Sequence, residues 1–413
     1  MKRRDFLKLA GALSVTGCAT PAASKARVVV VGAGYGGATA AKYLRLWEPA
    51  VEVVLVERLD SFTSCPISNL VLGGSRSMDD IRRGYDGLRR RGVRVVRDEV
   101  TAVDAAKKTV MLQRGSPLSY DRLIVSPGVD FNFNEIEGYE AAQDRILHAW
   151  KAGPQTSALR KQLEAMRDGG VYLISIPVAP YRCPPGPYER ISQVAHYFKQ
   201  SKPRAKVLVL DANPDVTSKG PLFKRAWQEL YPGMIEYRGN SKVIAVEGKS
   251  MTVRTDFDTF KADVLNVIPP QRAGDIAVKT GLITHNNRWC DVDWRSCESK
   301  AAKGIHVLGD ATLSASGMPK SGHMANQHGK TAAAAILAML GGREPDPSVM
   351  TNTCYSFVSD KEVIHVASVH QWEAAQGTIL PVKGAGGVSS ARSEQEGAYA
   401  WSWAQNIWAD MFG

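Results

Sequence analysis

Apolar residues along this chain of 413 residues gather into short unbroken runs separated by turns rich in glycine and proline. Arg27-Val-Val-Val-Val31 and Val51 to Val56 have strand length, and between them Ala38 to Leu46 repeats with a helical period. Unbroken rather than alternating hydrophobicity predicts strands covered on both faces, as in a parallel sheet flanked by helices. The signature returns at Val171 to Ile176, at Val207-Leu-Val-Leu210 ending in Asp211, and at Lys303-Gly-Ile-His-Val-Leu-Gly309. An alanine-rich helical stretch then runs to about Leu340, and Pro345 to Pro347 form a linker into a last region. That region ends in Tyr399-Ala-Trp401-Ser-Trp403-Ala-Gln-Asn-Ile-Trp408, a cluster read first as packing and second as an interface.

Strands alternating with helices predict an α/β protein. Gly32-Ala-Gly34-Tyr-Gly-Gly37 leads from the first strand into the first helix, and Glu57 closes the second strand twenty residues after Gly37. Glycines there let backbone N–H groups approach a pyrophosphate at the helix start, and an acid at that distance suits a ribose hydroxyl. Gly32, Gly34, Gly37 and Glu57 are therefore the candidate adenosine-diphosphate site. FAD is chosen over NAD by a second element far down the chain, the strand end Gly309-Asp310, whose aspartate suits the ribityl chain. Tyr120-Asp-Arg-Leu-Ile-Val-Ser-Pro-Gly128 reads as the strand and turn that leave the first FAD segment. Met318-Pro-Lys320-Ser-Gly-His323 precedes the alanine-rich helix, whose positive end would face the flavin pyrimidine. Lys320 either adds to that field or is simply exposed.

Two dinucleotide-binding, Rossmann-like, doubly wound domains follow from these placements. The FAD domain is discontinuous, over residues 25–150 and 280–345, with a second, degenerate unit inserted at 151–279. A small C-terminal interface domain covers 346–413. In the inserted unit the turn after Val171 to Ile176 reads Pro-Val-Ala-Pro-Tyr-Arg-Cys183-Pro-Pro-Gly-Pro-Tyr-Glu189-Arg190. Prolines have no N–H to offer a phosphate, so NAD(P)H is not the expected reductant. From this segment alone, Cys183 stands either at a site or in an ordinary proline-rich loop.

With 44% apolar residues the chain is globular and long enough for two or three domains. Its net charge of +11 falls to about +8 without the leader, and no basic helix, zinc-finger spacing or aromatic RNA-binding motif accompanies it. Nucleic acid is not an expected partner; an acidic protein is. Six cysteines are too few for a disulfide scaffold and lack Cys-x-x-Cys spacing, and the absence of Cys-x-x-Cys-His means no attached haem. Residues 1–24 begin Lys2-Arg3-Arg4-Asp5-Phe6-Leu7-Lys8 and continue with the mild apolar run Leu9 to Thr16, a twin-arginine leader that directs a folded protein to the periplasm. Val15-Thr-Gly-Cys18 resembles a lipobox, so Cys18 is a candidate lipid anchor. No run is long enough for a transmembrane helix.

The chain resembles the flavoprotein subunit of flavocytochrome c sulfide dehydrogenase. Beyond the glycine turn and Gly309-Asp310, the matching motifs are Cys65-Pro-Ile-Ser-Asn69 with Val71-Leu-Gly-Gly74, Cys183 to Arg190, Ile268-Pro-Pro-Gln-Arg-Ala-Gly274, Met318-Pro-Lys-Ser-Gly322 and Asn352-Thr-Cys354-Tyr-Ser356. The resemblance implies a covalent thioether from Cys65 to FAD, a redox disulfide between Cys183 and Cys354, and a separate c-type cytochrome subunit that carries the haem. Pro66 and the segment Asp60 to Ser64 depart from the family pattern, so the alternative is a merely buried Cys65. Hydrosulfide would attack one sulfur of the pair, leaving a persulfide and releasing the other as thiolate, with FAD as the two-electron acceptor. Polysulfide or elemental sulfur would be the product. Glu189 either accepts a proton beside the sulfur or forms a solvent-facing ion pair with Arg190. The alternative functions are a sulfide:quinone oxidoreductase and a catalytically silent flavin-binding or sulfur-carrier subunit.

Overall fold

Two sheets with parallel cores, each covered by helices on one face and by a small antiparallel sheet on the other, set the frame in which everything else is placed. The computed structural model describes residues 26–413; the leader at 1–24 and Cys18 lie outside the described residues. The principal elements open with β1 (Ala26–Val31), α1 (Tyr35–Trp47), β2 (Val51–Glu57), β3 (Arg94–Arg97) and β4 (Arg122–Val125). β5 (Val171–Ile176), α2 (Gly186–Ser201), β6 (Lys206–Asp211), β7 (Ile235–Arg238) and β8 (Val264–Val267) follow. The chain then returns through β9 (Ile305–Val307) and α3 (Gly322–Leu340), and ends in β10 (Val349–Phe357), β11 (Val363–Glu373), β12 (Thr378–Val388) and α4 (Glu394–Phe412).

The first sheet runs β9-β4-β1-β2-β3, extended beyond β9 by a short antiparallel hairpin. Val28, Val29 and Val30 are wholly buried because both faces are covered, Val28 and Val30 by α1 and α3 and Val29 by a small antiparallel sheet within residues 100–119, which is why this strand reads as an unbroken valine run. The turn into α1 needs glycine twice. Gly32 has φ +91, and a Cβ on Gly37 would lie 1.9 Å from the Gly32 carbonyl oxygen. The second sheet runs β7-β6-β5-β8, so the inserted unit repeats the plan of the first. The α/β class with two dinucleotide-type units and a C-terminal unit is borne out.

The last region is an antiparallel meander, β10-β11-β12, backed by α4. Ser393 caps α4 by accepting from Glu396 N, and the helix then lies against α1. Its far end buries Trp408, Met411 and Phe412 in the first core, where Trp408 Nε1 donates to Tyr35 Oη at 3.2 Å. The tryptophan series thus divides: Trp408 packs, while Trp403 reaches a cavity. The meander is fastened to the inserted unit by Gln193, whose Nε2 donates to the carbonyls of Phe357 at 3.2 Å and Ser359 at 2.7 Å. Among the described residues no helix is long and apolar enough to cross a membrane.

Candidate active site

Two cavities meet between the three units. The larger, about 390 Å³, lies over the start of α1 and is lined by Gly32, Gly34 and Glu57 together with Ser126 to Asp130. A Cβ on Gly34 would meet nothing within 4 Å, so this residue faces open space at the N-terminus of a helix, the setting a phosphate requires. Glu57 fastens the turn, with Oε2 accepting from Ala33 N at 2.8 Å and Oε1 from Leu59 N at 3.0 Å.

The smaller cavity, about 70 Å³, brings together Cys65, Cys183, Cys354 and Glu189. These residues come from four separate segments. Cys65 sits in the loop before the short helix Ser68–Gly73, with Sγ 3.4 Å from Ala152 N. Cys183 lies in the turn between β5 and α2 in the left-handed region, at φ +57, held there by a bond from its own N–H to the Lys320 carbonyl at 2.7 Å. Gly186 opens α2 without a side chain, and a Cβ there would stand 2.9 Å from Cys183 Sγ. Cys354 projects from β10, where Asn352 Nδ2 approaches its sulfur to 3.4 Å and Asn352 Oδ1 accepts from Ser321 Oγ at 2.6 Å. Ser321 also caps α3, so the start of that helix and the Cys354 sulfur share one hydrogen-bonded unit. All five described cysteines are free thiols, Cys183 and Cys354 included.

Burial pushes the Cys183 thiol up, with neighbouring Cys354 adding to the effect. Cys354 is raised by burial too, but Asn352 and the Lys219 ammonium oppose the rise. Lys219 opposes the rise at Cys183 as well, so what makes the two sulfurs unequal is the Asn352 amide, which favours the thiolate of Cys354 alone. Lys219 was not foreseen. Its Nζ donates to the Cys354 carbonyl at 2.9 Å, Ser356 Oγ at 2.8 Å and the Ile364 carbonyl at 3.2 Å, and burial brings its pKa down to about 8.

Two expectations about charged residues are corrected. Glu189 and Arg190 do not form a solvent-facing pair, since they are 7% and 2% exposed. Glu189 accepts from Asn69 Nδ2 at 2.7 Å and Phe357 N at 2.9 Å, and burial raises its pKa. Arg190 instead donates to Asn69 Oδ1, Asn266 Oδ1 and the carbonyls of His148 and Ala149. Lys320 is not exposed either. It is buried over the Trp289 ring, 3.8 Å from its centroid, and donates to the Asp310 carbonyl at 3.0 Å and to the Thr312 carbonyl. Desolvation lowers it to about 8, and its bonds are spent within the protein.

The donor set fits FAD. Asp310 Oδ1 is a buried acceptor without a partner, and burial raises the carboxyl pKa; a ribityl hydroxyl would satisfy it. Gly309, just before it, is pinned by its N–H to His328 Nδ1 at 3.0 Å. After β5, by contrast, the backbone N–H groups of Ala179, Arg182 and Cys183 are bonded to Asn213, Gln271 and Lys320, and prolines fill the turn. No phosphate cradle remains there.

Residues 156–269 match the family described as sulfide dehydrogenase [flavocytochrome c] flavoprotein chain, central. Residues 345–412 match flavocytochrome c sulphide dehydrogenase, flavin-binding, and 26–165 match pyridine nucleotide-disulphide oxidoreductase. The sulfide dehydrogenase [flavocytochrome c] flavoprotein chain of Chlorobaculum thiosulfatiphilum is 58% identical over 45 residues, which are 94% of that relative and 11% of this chain. The mitochondrial sulfide:quinone oxidoreductase of Dictyostelium discoideum is 24% identical over 299 residues, 69% of this chain and 65% of its own length. In structure, the sulfide:quinone oxidoreductase of Aquifex aeolicus aligns with a TM-score of 0.75 at 18% identity, covering 93% of this chain and 91% of that one. A covalent putidaredoxin reductase–putidaredoxin complex aligns at 0.66 and 18%, covering 92% and 93%.

Proposed function

We propose that this chain, whose residues 156–269 and 345–412 match the flavoprotein chain of flavocytochrome c sulfide dehydrogenase, oxidises sulfide at Cys183 and Cys354 and delivers the electrons to a separate c-type cytochrome. At the coarser level it is a sulfide-oxidising, FAD-binding flavoprotein oxidoreductase. The observation that carries the finer reading is the meeting of three cysteines from remote segments in one cavity that shares Arg182 with the cavity over the glycine turn.

In the oxidised resting form the two sulfurs would be joined. Attack by HS⁻ on Cys183 Sγ forms a new S–S bond and breaks the old one, leaving a persulfide on Cys183 and a thiolate on Cys354. This direction is favoured because the better leaving group is the thiol with the lower pKa, and the Asn352 amide acts on Cys354 alone. Glu189, in the same cavity with its pKa raised by burial, is placed to take the hydrosulfide proton. FAD, when bound, would supply the two-electron acceptor; Cys65 would be its covalent attachment point, and Asp310 and Glu57 would help to hold it. Sulfur would leave as polysulfide or elemental sulfur. The leader motif of residues 1–24 supports export to the periplasm, where such a cytochrome would be met.

The test is anaerobic bleaching of the flavin by sulfide in the wild type and in Cys183→Ser, with cytochrome c and a short-chain quinone supplied in parallel. Bleaching in the wild type, its loss in the variant and reduction of cytochrome c are expected. Undiminished bleaching in Cys183→Ser overturns the cysteine chemistry in favour of a carrier role, and preferential quinone reduction overturns the acceptor.

A further inference from the structure

Arg182 is the one residue that lines both cavities. A dinucleotide running from the glycine turn to the cysteines must therefore pass it. Its backbone is fixed, since its own N–H donates to Gln271 Oε1 at 2.9 Å and the next N–H, of Cys183, donates to the Lys320 carbonyl at 2.7 Å. Its guanidinium has no hydrogen bond or ion pair among the described residues. Of the other cations nearby, Arg58 and Lys279 line only the larger cavity and are exposed, and the buried or half-buried ones are committed. Arg190 spends its nitrogens on Asn69, Asn266 and two carbonyls, Lys320 on two carbonyls, and Lys151 on Asp130. Asp310, the orphaned acceptor at the same junction, feels the Arg182 charge but is not paired with it.

A half-buried guanidinium left without an acceptor is a fork waiting for one, and its planar donors match two oxygens of a phosphate. We infer that Arg182 clamps the pyrophosphate of the bound dinucleotide from the side opposite Gly34, where the helix start of α1 holds it. This rests on the flavin reading and adds to it a residue that the glycine motif does not contain. It also ties two tasks to one turn. Arg182 and Cys183 are adjacent, so gripping the phosphates fixes the height at which the sulfur is presented.

The test is equilibrium binding to the full chain carrying Cys65→Ser, which leaves the flavin exchangeable, with FAD and riboflavin titrated separately by flavin fluorescence. Arg182→Gln is expected to weaken FAD by about tenfold, the weight of a charge-assisted hydrogen bond, while riboflavin, which lacks phosphates, binds as before. Arg182→Lys should recover part of the loss, because it restores the charge without the fork. An FAD affinity within about twofold of the parent, or an equal weakening of riboflavin, overturns the clamp. A Cys65→Ser parent that binds neither ligand overturns the flavin reading and the clamp with it.

Discussion

Adding a single methyl group at Gly186 puts the sulfur geometry under direct stress. The backbone there does not require glycine, since Gly186 is the first residue of α2 and its φ is not positive. Alanine is the better helix former by roughly 1 kcal/mol, so nothing in the local conformation opposes Gly186→Ala. What opposes it is the sulfur. The new Cβ would sit 2.9 Å from Cys183 Sγ and 3.0 Å from the Trp150 ring, against 3.4–4 Å for an ordinary contact. Trp150 is buried and Cys183 is tethered through its N–H to Lys320, so the relief must come from swinging the thiol outward by about 0.5–1 Å. Overpacking of this kind costs about 1–3 kcal/mol, which the helix gain offsets in part, leaving a fold close to wild-type stability. The reaction is far less tolerant, because a misplacement of about 1 Å costs on the order of 100-fold in rate. Stopped-flow bleaching of the flavin by sulfide, beside a urea unfolding curve, separates the two effects. The expected outcome is a reductive rate down by about 10- to 100-fold with unfolding displaced by no more than about 2 kcal/mol. Wild-type bleaching in a folded Gly186→Ala protein would refute the claim that residue 186 confines the sulfur.

The remaining predictions concern the groups behind the sulfurs. Lys219, with its pKa brought down to about 8, releases its proton in the folded chain at a pH where the unfolded chain still holds it. Stability contributed by this residue should thus rise as pH climbs from about 8 toward 10.5, a span worth roughly 3 kcal/mol, and Lys219→Met should flatten the rise. Urea midpoints of the two proteins between pH 8 and 10 check this, and parallel curves would count against it. Ser321→Ala removes the cap that accepts from Met324 N and the donor to Asn352, and should cost about 1 kcal/mol in urea unfolding. It should also slow bleaching, since Asn352 loses the bond that holds its amide against Cys354. Unchanged bleaching would separate the cap from the sulfur.

The unit β1-α1-β2 was legible because its signals are local: a valine run, a glycine turn and Glu57 all fall within some thirty residues. The same holds for Gly309-Asp310 and for the start of α3. The burial of Lys320 was not legible because Met-Pro-Lys-Ser-Gly has the composition of a solvated loop, while the ring that receives its charge, Trp289, is contributed from another segment. Glu189 and Arg190 look like a surface pair when read as neighbours, yet at the buried start of α2 they bond different partners. Lys219 gave no signal at all. Its three acceptors, at Cys354, Ser356 and Ile364, are more than 130 residues away along the chain. The convergence of Cys65, Cys183 and Cys354 came from the resemblance and not from spacing, because distances of that length in sequence carry no information about proximity in space.

The fastening of the terminal meander has a mechanical consequence. The sulfur of Cys183 rides on a turn bolted to Lys320, whereas that of Cys354 rides on a strand moored to Lys219 of the inserted unit. Each reactive atom is thus mounted on foreign ground, with neither free to drift without dragging a neighbouring layer along. Under the proposed chemistry, strain from a bond between them opening or closing would be felt across all three bodies at once, which would make the molecule as a whole the spring of that step.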